Sequence, residues 1–303
     1  SEMSFPTVGD FVRIQYNSEG DSLITETLER RSFFSRLNPT PGMGEQAVAA
    51  NFDYVFILTS LNYDFNEKRL QRYLTLTWQS GALPVVVLTK SDLTEDYAAQ
   101  QRLAEAAAPG VGVFAVSART GAGLEHLSSY LDRGKTIVFL GSSGVGKSSL
   151  LNALAGEELM KVGEIREDDS RGRHTTTHRQ LYRLNSGAMV IDTPGMRSVG
   201  MWDVTQGLSE AFTDVEDYLG RCRFSDCTHG GEPGCAVQEA IIAGELSRER
   251  WEAYLQLKRE ARYSDDKGGY LREKQRWHKT ISKWNKQRRK TVKIFGKDWS
   301  STM

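Results

Sequence analysis

The octapeptide Gly141-Ser142-Ser143-Gly144-Val145-Gly146-Lys147-Ser148 fits the pattern GxxxxGK[ST]. It follows the strand-like run Thr136–Leu140 and precedes the helix-like run Ser149–Leu154. In that setting the glycines let successive backbone N–H groups converge on phosphate oxygens at the positive end of a helix. The lysine reaches the outer phosphates and the hydroxyl binds Mg²⁺. The candidate phosphate contacts are Ser143, Gly144, Val145, Gly146, Lys147, Ser148 and Ser149. Lys147 is also a catalytic candidate, as a neutraliser of developing charge, and Ser148 a magnesium ligand. The chain is thereby committed to strand–helix alternation and to a nucleoside triphosphate.

The surrounding pattern agrees. Asp53–Ser60 reads as an apolar strand, and Leu70, Tyr73, Leu74 and Trp78 mark one face of a helix. Leu83–Thr89 is the next strand, 95–107 a helix, Val111–Val116 a strand and 123–131 a helix. Further strands are expected at 179–184 and 188–192. Such alternation builds a mostly parallel sheet covered by helices.

Thr89-Lys90-Ser91-Asp92 ends one of these strands and is a variant of the guanine-reading signature Asn-Lys-x-Asp. A carboxylate at Asp92 accepts two hydrogen bonds from N1–H and the 2-amino group of guanine, a pair that adenine does not offer. The Lys90 stem is expected along the base, with Ser117-Ala118 as the second base-contacting loop. Asp192-Thr193-Pro194-Gly195 ends a later strand, where Asp192 would hold Mg²⁺ through water and the Gly195 N–H would sense the γ-phosphate. Arg173-His174-Thr175-Thr176-Thr177 supplies a first switch, with Thr175, Thr176 or Thr177 as nucleotide contact and Thr176 as the nominated magnesium ligand. Met196, after the switch glycine, has no amide to orient water, so His174 is the catalytic candidate in its place. The order is unusual, since the base-reading motifs precede the phosphate loop. The sheet is therefore circularly permuted, which neighbouring surface termini permit, and the second switch at 192–201 runs straight into the C-terminal region.

The three cysteines, Cys222, Cys227 and Cys235, fall within 14 residues and enclose His229. Three thiolates and an imidazole, separated by Gly230, Gly231, Pro233 and Gly234, form a complete tetrahedral set for one structural Zn²⁺. The zinc and nucleotide sites are expected on separate cores. His126 and His278 read as surface residues.

Residues 5–38 read as strands, one through Val8, Phe11, Val12, Ile14 and Tyr16 and another through Leu23–Leu28, across a turn at 17–21. This small β unit is short for a complete barrel, and Asn38-Pro39-Thr40-Pro41-Gly42 reads as a linker. After about 205 the alternation stops, and helices are expected at 236–246, 247–262 and 267–290. Net charge is zero, yet Lys267–Lys297 holds twelve Lys/Arg against one acid, Glu273. With Tyr270, Trp277 and Trp284 at seven-residue spacing, that segment points to RNA. No apolar run is long enough for a membrane span, and no signal peptide is evident, so a cytoplasmic location and no membrane partner are expected.

Together the permuted order, Gly172-Arg173-His174-Thr175-Thr176-Thr177, Asp192-Thr193-Pro194-Gly195 and Cys222-Arg223-Phe224-Ser225-Asp226-Cys227-Thr228-His229 with Glu232-Pro233-Gly234-Cys235 resemble the small ribosomal subunit-dependent GTPase A (RsgA/YjeQ) family. The resemblance implies an OB-fold, a permuted GTPase domain and a zinc-binding helical domain. It also implies late maturation of the small ribosomal subunit, with GTPase activity raised by that subunit. Thr89 departs from the family's usual Asn and is expected to loosen the base pocket, having one hydroxyl where Asn bridges guanine and the phosphate loop.

The expected architecture is therefore α/β: an OB-like β domain, possibly truncated, at 1–46, a circularly permuted P-loop GTPase domain at 47–205, and a zinc-binding α-helical domain at 206–303 with a basic C-terminal helix. The expected ligands are GTP/GDP, Mg²⁺ and one Zn²⁺; the expected partners are the small ribosomal subunit and its rRNA, bound by a monomer. The competing reading is an RNA-binding assembly module in which GTP only sets conformation.

Overall fold

The computed structural model describes residues 6–37, 45–62, 65–160, 180–192 and 205–265. His174, Thr175–Thr177, Gly195, Met196, the 38–42 linker and the basic 267–297 segment lie outside these residues.

The centre is a six-stranded sheet in the order β7-β6-β5-β8-β10-β9. Its strands are β5 (Tyr54–Ser60), β6 (Leu83–Thr89), β7 (Val113–Ala115), β8 (Thr136–Gly141), β9 (Gln180–Arg183) and β10 (Met189–Asp192). All neighbours run parallel except the β9–β10 pair. The central strands carry almost uninterrupted Val, Ile, Leu and Phe because both faces are covered, the usual signature of a parallel sheet. Ile57, Val86, Leu88, Val138 and Leu140 enter one apolar cluster. Phe56, Leu58, Val85, Val87, Ile137 and Phe139 enter the other. The phosphate loop follows β8, which lies between β5, the start of the described sheet in sequence, and β10, near its end. The chain order is permuted as the motif order requires.

Helix α1 (Glu67–Gln79) starts at Asn66, whose side chain accepts from the Arg69 N–H at 2.9 Å. Helices α2 (Ala98–Ala107) and α3 (Lys147–Ala155) fall where the sequence places them. The 123–131 segment does not form an α-helix; Leu124–Tyr130 is 3-10. It is anchored by Leu127, fully buried, and by Tyr130, which packs edge-on against Tyr54 and Phe56.

The expected OB-like barrel is not found among the described residues. Strands β1 (Val12–Gln15) and β2 (Leu23–Thr27) form one two-stranded antiparallel sheet, and β3 (Phe33–Leu37) and β4 (Glu45–Ala50) another. The second is part of the main body: Phe34, Val48 and Ala49 join the same cluster as Ile57 and Leu88. The expected boundary at 46/47 therefore falls inside β4. The segment before β1 is fastened to β4 by an Ala50 N–H to Val8 carbonyl bond of 3.0 Å. At Gly9 a Cβ would lie 2.0 Å from the Ala50 carbonyl oxygen, so only glycine fits. Asp10, next along, is clamped by the Arg30 guanidinium at 2.8 Å.

Beyond β10 the sequence reading misses two short helices, α4 (Thr205–Ala211) and α5 (Thr213–Glu216). They precede α6 (Ala236–Ala243) and α7 (Arg248–Asp265). Gly207 sets α4 directly on α1: a Cβ there would meet the Thr75 carbonyl oxygen at 2.2 Å and the Gln79 amide nitrogen at 2.7 Å. The Gly207 N–H also donates to Gln79 Oε1 at 2.9 Å. Gly207→Ala should force the helices apart and cost about 2–3 kcal/mol in urea unfolding, at the upper end for overpacking. A loss under about 0.5 kcal/mol would show that the contact can relax.

Val145 of the phosphate loop and Leu150 and Leu151 of α3 lie in one buried cluster and Cys235 of the knot in the other, as separate cores require, but the knot's cluster also includes one face of the sheet. One buried cluster runs from Val55 and Ile57 of the sheet through Leu70 and Leu74 of α1 to Phe212, Cys235, Trp251 and Tyr254. The α4–α1 contact at Gly207, Thr75 and Gln79 joins the two halves.

Candidate functional site

At the end of β8 the chain turns through Gly144 (φ 73) and Gly146 (φ 105), and Gly146 caps α3. These left-handed positions suit glycine and free the loop to curl its N–H groups inward. Val145, between them, is buried. Lys147 Nζ donates to the carbonyls of Gly141 (2.9 Å) and Ser142 (2.7 Å), which keeps the ammonium folded over the loop. Asp192 closes β10, the strand beside β8. The phosphate loop, Lys147 and Ser148 at the start of α3, and Asp192 thus lie together at the C-terminal ends of the adjacent parallel strands β8 and β10. Such a set fits a polyphosphate with Mg²⁺, and Ser148 and Asp192 are the described residues able to serve the ion.

The candidate base-reading residues of the sequence gather at the ends of β6 and β7. Lys90 adopts a left-handed backbone (φ 62) and sends its Nζ to the Gly144 carbonyl at 2.7 Å. Its stem spans from the base-reading segment to the phosphate loop. The Thr89 hydroxyl, buried, donates to the Val145 carbonyl at 2.6 Å. The substitution for Asn thus keeps the tie to the loop and spends its one donor hydrogen on that tie.

Asp92 Oδ1 accepts from the Ser117 hydroxyl at 2.6 Å, and Oδ2 from Arg119 Nε at 2.8 Å. The Ser117 hydroxyl bond, followed by a backbone N–H and Arg119, holds the Asp92 carboxyl below the usual carboxylate range. It is therefore an ionised acceptor near neutral pH. Ser117 is itself fixed by full burial and by the Thr120 N–H at 3.2 Å, and Ala118 follows it at the rim. Arg119 was not singled out in the sequence, because a lone arginine on a loop carries no spacing signal.

The second constellation is the cysteine–histidine knot. His229 Nδ1 lies 3.4 Å from Cys222 Sγ, 3.7 Å from Cys227 Sγ and 3.5 Å from Cys235 Sγ. All four ligand atoms lie within 4.8 Å of one another. Ligands bound tetrahedrally at about 2.0–2.3 Å sit roughly 3.5–3.8 Å apart, so the set fits one Zn²⁺ with no open position. Glu232 organises the loop by accepting from the N–H groups of Thr228 (3.1 Å) and Gly230 (2.8 Å) and from the Thr228 hydroxyl. The Thr228 hydroxyl, then Glu232's own backbone N–H, then those of Thr228 and Gly230, bring its carboxyl down to about 2. His229 takes a left-handed backbone (φ 59), its carbonyl accepts from Gln238 at 2.8 Å, and its ring meets Trp251 edge-on at 5.6 Å.

A mostly parallel sheet with a phosphate loop after its central strand, and candidate base-reading residues at the ends of the two strands that precede it in sequence, defines a circularly permuted P-loop GTPase. Residues 27–202 match the RsgA GTPase family. The small ribosomal subunit biogenesis GTPase RsgA 1 of Listeria monocytogenes is 49% identical over 286 residues, covering 93% of this chain and 81% of the relative. RsgA of Methanosarcina acetivorans is 42% identical over 292 residues, 95% of this chain and 79% of the relative. Among solved structures, YjeQ from Thermotoga maritima aligns with a TM-score of 0.60 at 29% identity, covering 84% of this chain and 83% of that one. YloQ, titled a circularly permuted GTPase, aligns at 0.57 and 29%, covering 83% and 79%. The chain belongs to the RsgA GTPase family.

Proposed function

We propose that this chain hydrolyses GTP on the small ribosomal subunit, coupling hydrolysis to late maturation of that subunit and to its own release. The carrying observation is the direct tie of base-reading segment to phosphate loop, through Thr89 to Val145 and Lys90 to Gly144. Relatives at 42–49% identity bear the name small ribosomal subunit biogenesis GTPase. Asp92 reads guanine, with Ser117 and Ala118 closing the base loop. The amides of 143–149 and Lys147 hold the phosphates, and phosphoryl transfer then rests on positioning and charge neutralisation. Ser148, Asp192 and one of Thr175–Thr177, nominally Thr176, hold Mg²⁺, which supplies neutralisation of the charge between the outer phosphates. The Gly195 N–H senses the γ-phosphate. His174 orients the attacking water once the first switch is ordered against the subunit.

The cysteine–histidine knot holds one structural Zn²⁺ at the head of a helical domain from 206, and the basic 267–297 segment meets rRNA. The chain works on ribosomal particles in the cytoplasm, as a monomer; among the described residues no helix is long and apolar enough to cross a membrane.

The test is multiple-turnover hydrolysis of GTP and ATP with and without purified small subunits. GTP turnover should rise with subunits, and His174→Ala should remove about 10²-fold of the stimulated rate with little change in GTP affinity. GTP binding without any stimulated turnover would favour the purely conformational role.

Asp92→Asn isolates base reading. It replaces one acceptor oxygen by a donor, so GTP affinity should fall on the order of 10²-fold while xanthosine triphosphate gains. Equal GTP affinity in the variant would remove Asp92 from the base site.

A further inference from the structure

At the candidate base site the hydroxyl hydrogens are committed to protein acceptors. The Thr89 hydroxyl, 4% exposed, bonds to the Val145 carbonyl at 2.6 Å, and a carbonyl can only accept. The Ser117 hydroxyl, fully buried, gives its hydrogen to Asp92 Oδ1 at 2.6 Å and accepts from the Thr120 N–H at 3.2 Å. The cations beside them are engaged as well. Lys90 Nζ sits on the Gly144 carbonyl at 2.7 Å, and Arg119 Nε on Asp92 Oδ2 at 2.8 Å.

Guanine presents two edges to such a site. Its Watson–Crick edge carries two donors, N1–H and the 2-amino group, which suit the ionised Asp92. Its Hoogsteen edge carries only acceptors, N7 and O6. A hydroxyl with no hydrogen left to give serves neither of those. Thr89 is the join between the base-reading segment and the phosphate loop, its Oγ1 lying 3.9 Å from where a Cβ on Gly146 would stand. A purine held by Asp92 at one edge, with its phosphates on the loop, turns N7 towards that join. An asparagine amide carries two N–H hydrogens, enough for a loop carbonyl and for N7 together, whereas a threonine hydroxyl carries one.

We propose that Thr89 leaves N7 unread, so that this chain selects guanine by the Watson–Crick edge and binds nucleotides in which N7 is replaced by C–H as well as the natural ones. The ligand class widens to 7-deazaguanine nucleotides, while bases without the 2-amino group stay disfavoured. The proposal rests on the reading that Asp92 takes the guanine base. An unread N7 is an acceptor taken from water with no protein donor in return, so replacing it removes a cost and no bond.

The test is calorimetric titration of the full chain, in Mg²⁺, with GDP, 7-deaza-GDP and inosine diphosphate, none of which is turned over. Wild type should bind 7-deaza-GDP within about 2-fold of GDP, or tighter, since no hydrogen bond is lost. Thr89→Asn supplies the second hydrogen and should bind GDP about 5- to 10-fold more tightly than 7-deaza-GDP, as for one hydrogen bond. Thr89→Val removes the tie to the Val145 carbonyl and should weaken both ligands by the same factor. Inosine diphosphate should bind about 10-fold or more weakly than GDP to wild type, because it lacks the 2-amino donor. A wild-type preference of about 5-fold or more for GDP over 7-deaza-GDP would overturn the proposal, since another donor would then read N7; this comparison holds whether or not the variants fold. Equal binding of the two ligands by folded Thr89→Asn would overturn it too, by placing residue 89 away from N7. Either failure leaves the Asp92 reading standing if inosine diphosphate is still disfavoured. Inosine diphosphate bound as tightly as GDP would remove that reading and the proposal with it.

Discussion

Arg250→Met should lower the unfolding free energy by about 2–3 kcal/mol, mainly because two carbonyls in a buried setting lose their donor, with a smaller share from the partly exposed Asp214 carboxylate. Arg250 lies on α7, and its side chain is 7% exposed. It grips Asp214 through Nε at 2.9 Å and Nη2 at 2.8 Å. Its other N–H groups reach the carbonyls of Ala211 (2.6 Å) and Ala107 (3.2 Å), and its plane lies over the Phe212 ring at 4.0 Å. Ala107 is the last residue of α2, so a single guanidinium fastens the sheet's flanking helix to α4, α5 and α7. Methionine keeps the bulk and leaves a carboxylate and two carbonyls without their donor. Lysine should not rescue, because an ammonium cannot present the planar fork that meets these acceptors together. Urea unfolding of the two variants checks this, and a loss below about 1 kcal/mol for Arg250→Met would show that water replaces the fork.

Removal of the knot's metal ligand should have the larger effect. Cys227→Ala should abolish stoichiometric zinc in metal analysis, and the damage should not stay local. Structural zinc contributes on the order of 10 kcal/mol in small zinc-finger peptides. Here Trp251 packs on the His229 ring and stacks on Tyr254 at 5.6 Å, and Tyr254 meets Phe212 at 5.6 Å. Because that aromatic series belongs to the same core as α1, loosening should spread to the sheet. Amide exchange should quicken in 67–79 as well as 248–265, and Trp emission should change. Loss of zinc with α1 protection intact would show that the shared core is held by α4 alone.

What the sequence made legible was the chemistry whose residues must be close in the chain. The phosphate loop, Asp92, Ser117 and the Cys/His knot each need a fixed spacing, and the structure brings each set together. The alternation of β5 to β10 was legible because strands buried on both faces leave long apolar runs. What was hidden depends on partners distant in sequence. Nothing in the sequence singles out Gly207 or Arg250 until Thr75 and Ala107 are placed beside them. Helices α4 and α5 are too short for a 3.6-residue period to declare itself. The 123–131 segment had the apolar spacing of a helix, yet tight packing of Leu127 and Tyr130 draws it into a 3-10 coil. The N-terminal strands were legible as strands but not in their partners, because a two-stranded pairing and a barrel use the same alternation.

The strand order also fixes when, during synthesis, the protein can first hold nucleotide. Strands β5, β6 and β7 emerge in succession and can pair at once, since each is parallel to the last and joined through a helix. The other edge of β5 stays open until β8 arrives some fifty residues after β6 ends, and an open apolar edge is a hazard for a nascent chain. The proposed guanine-reading residues, Thr89 to Asp92, are thus made before the phosphate loop at 141–148. Thr89 and Lys90 have no Val145 or Gly144 carbonyl to hold until the loop has been added. On the proposed function, an unfinished chain would have a base reader without a phosphate grip until the central strand closes the sheet.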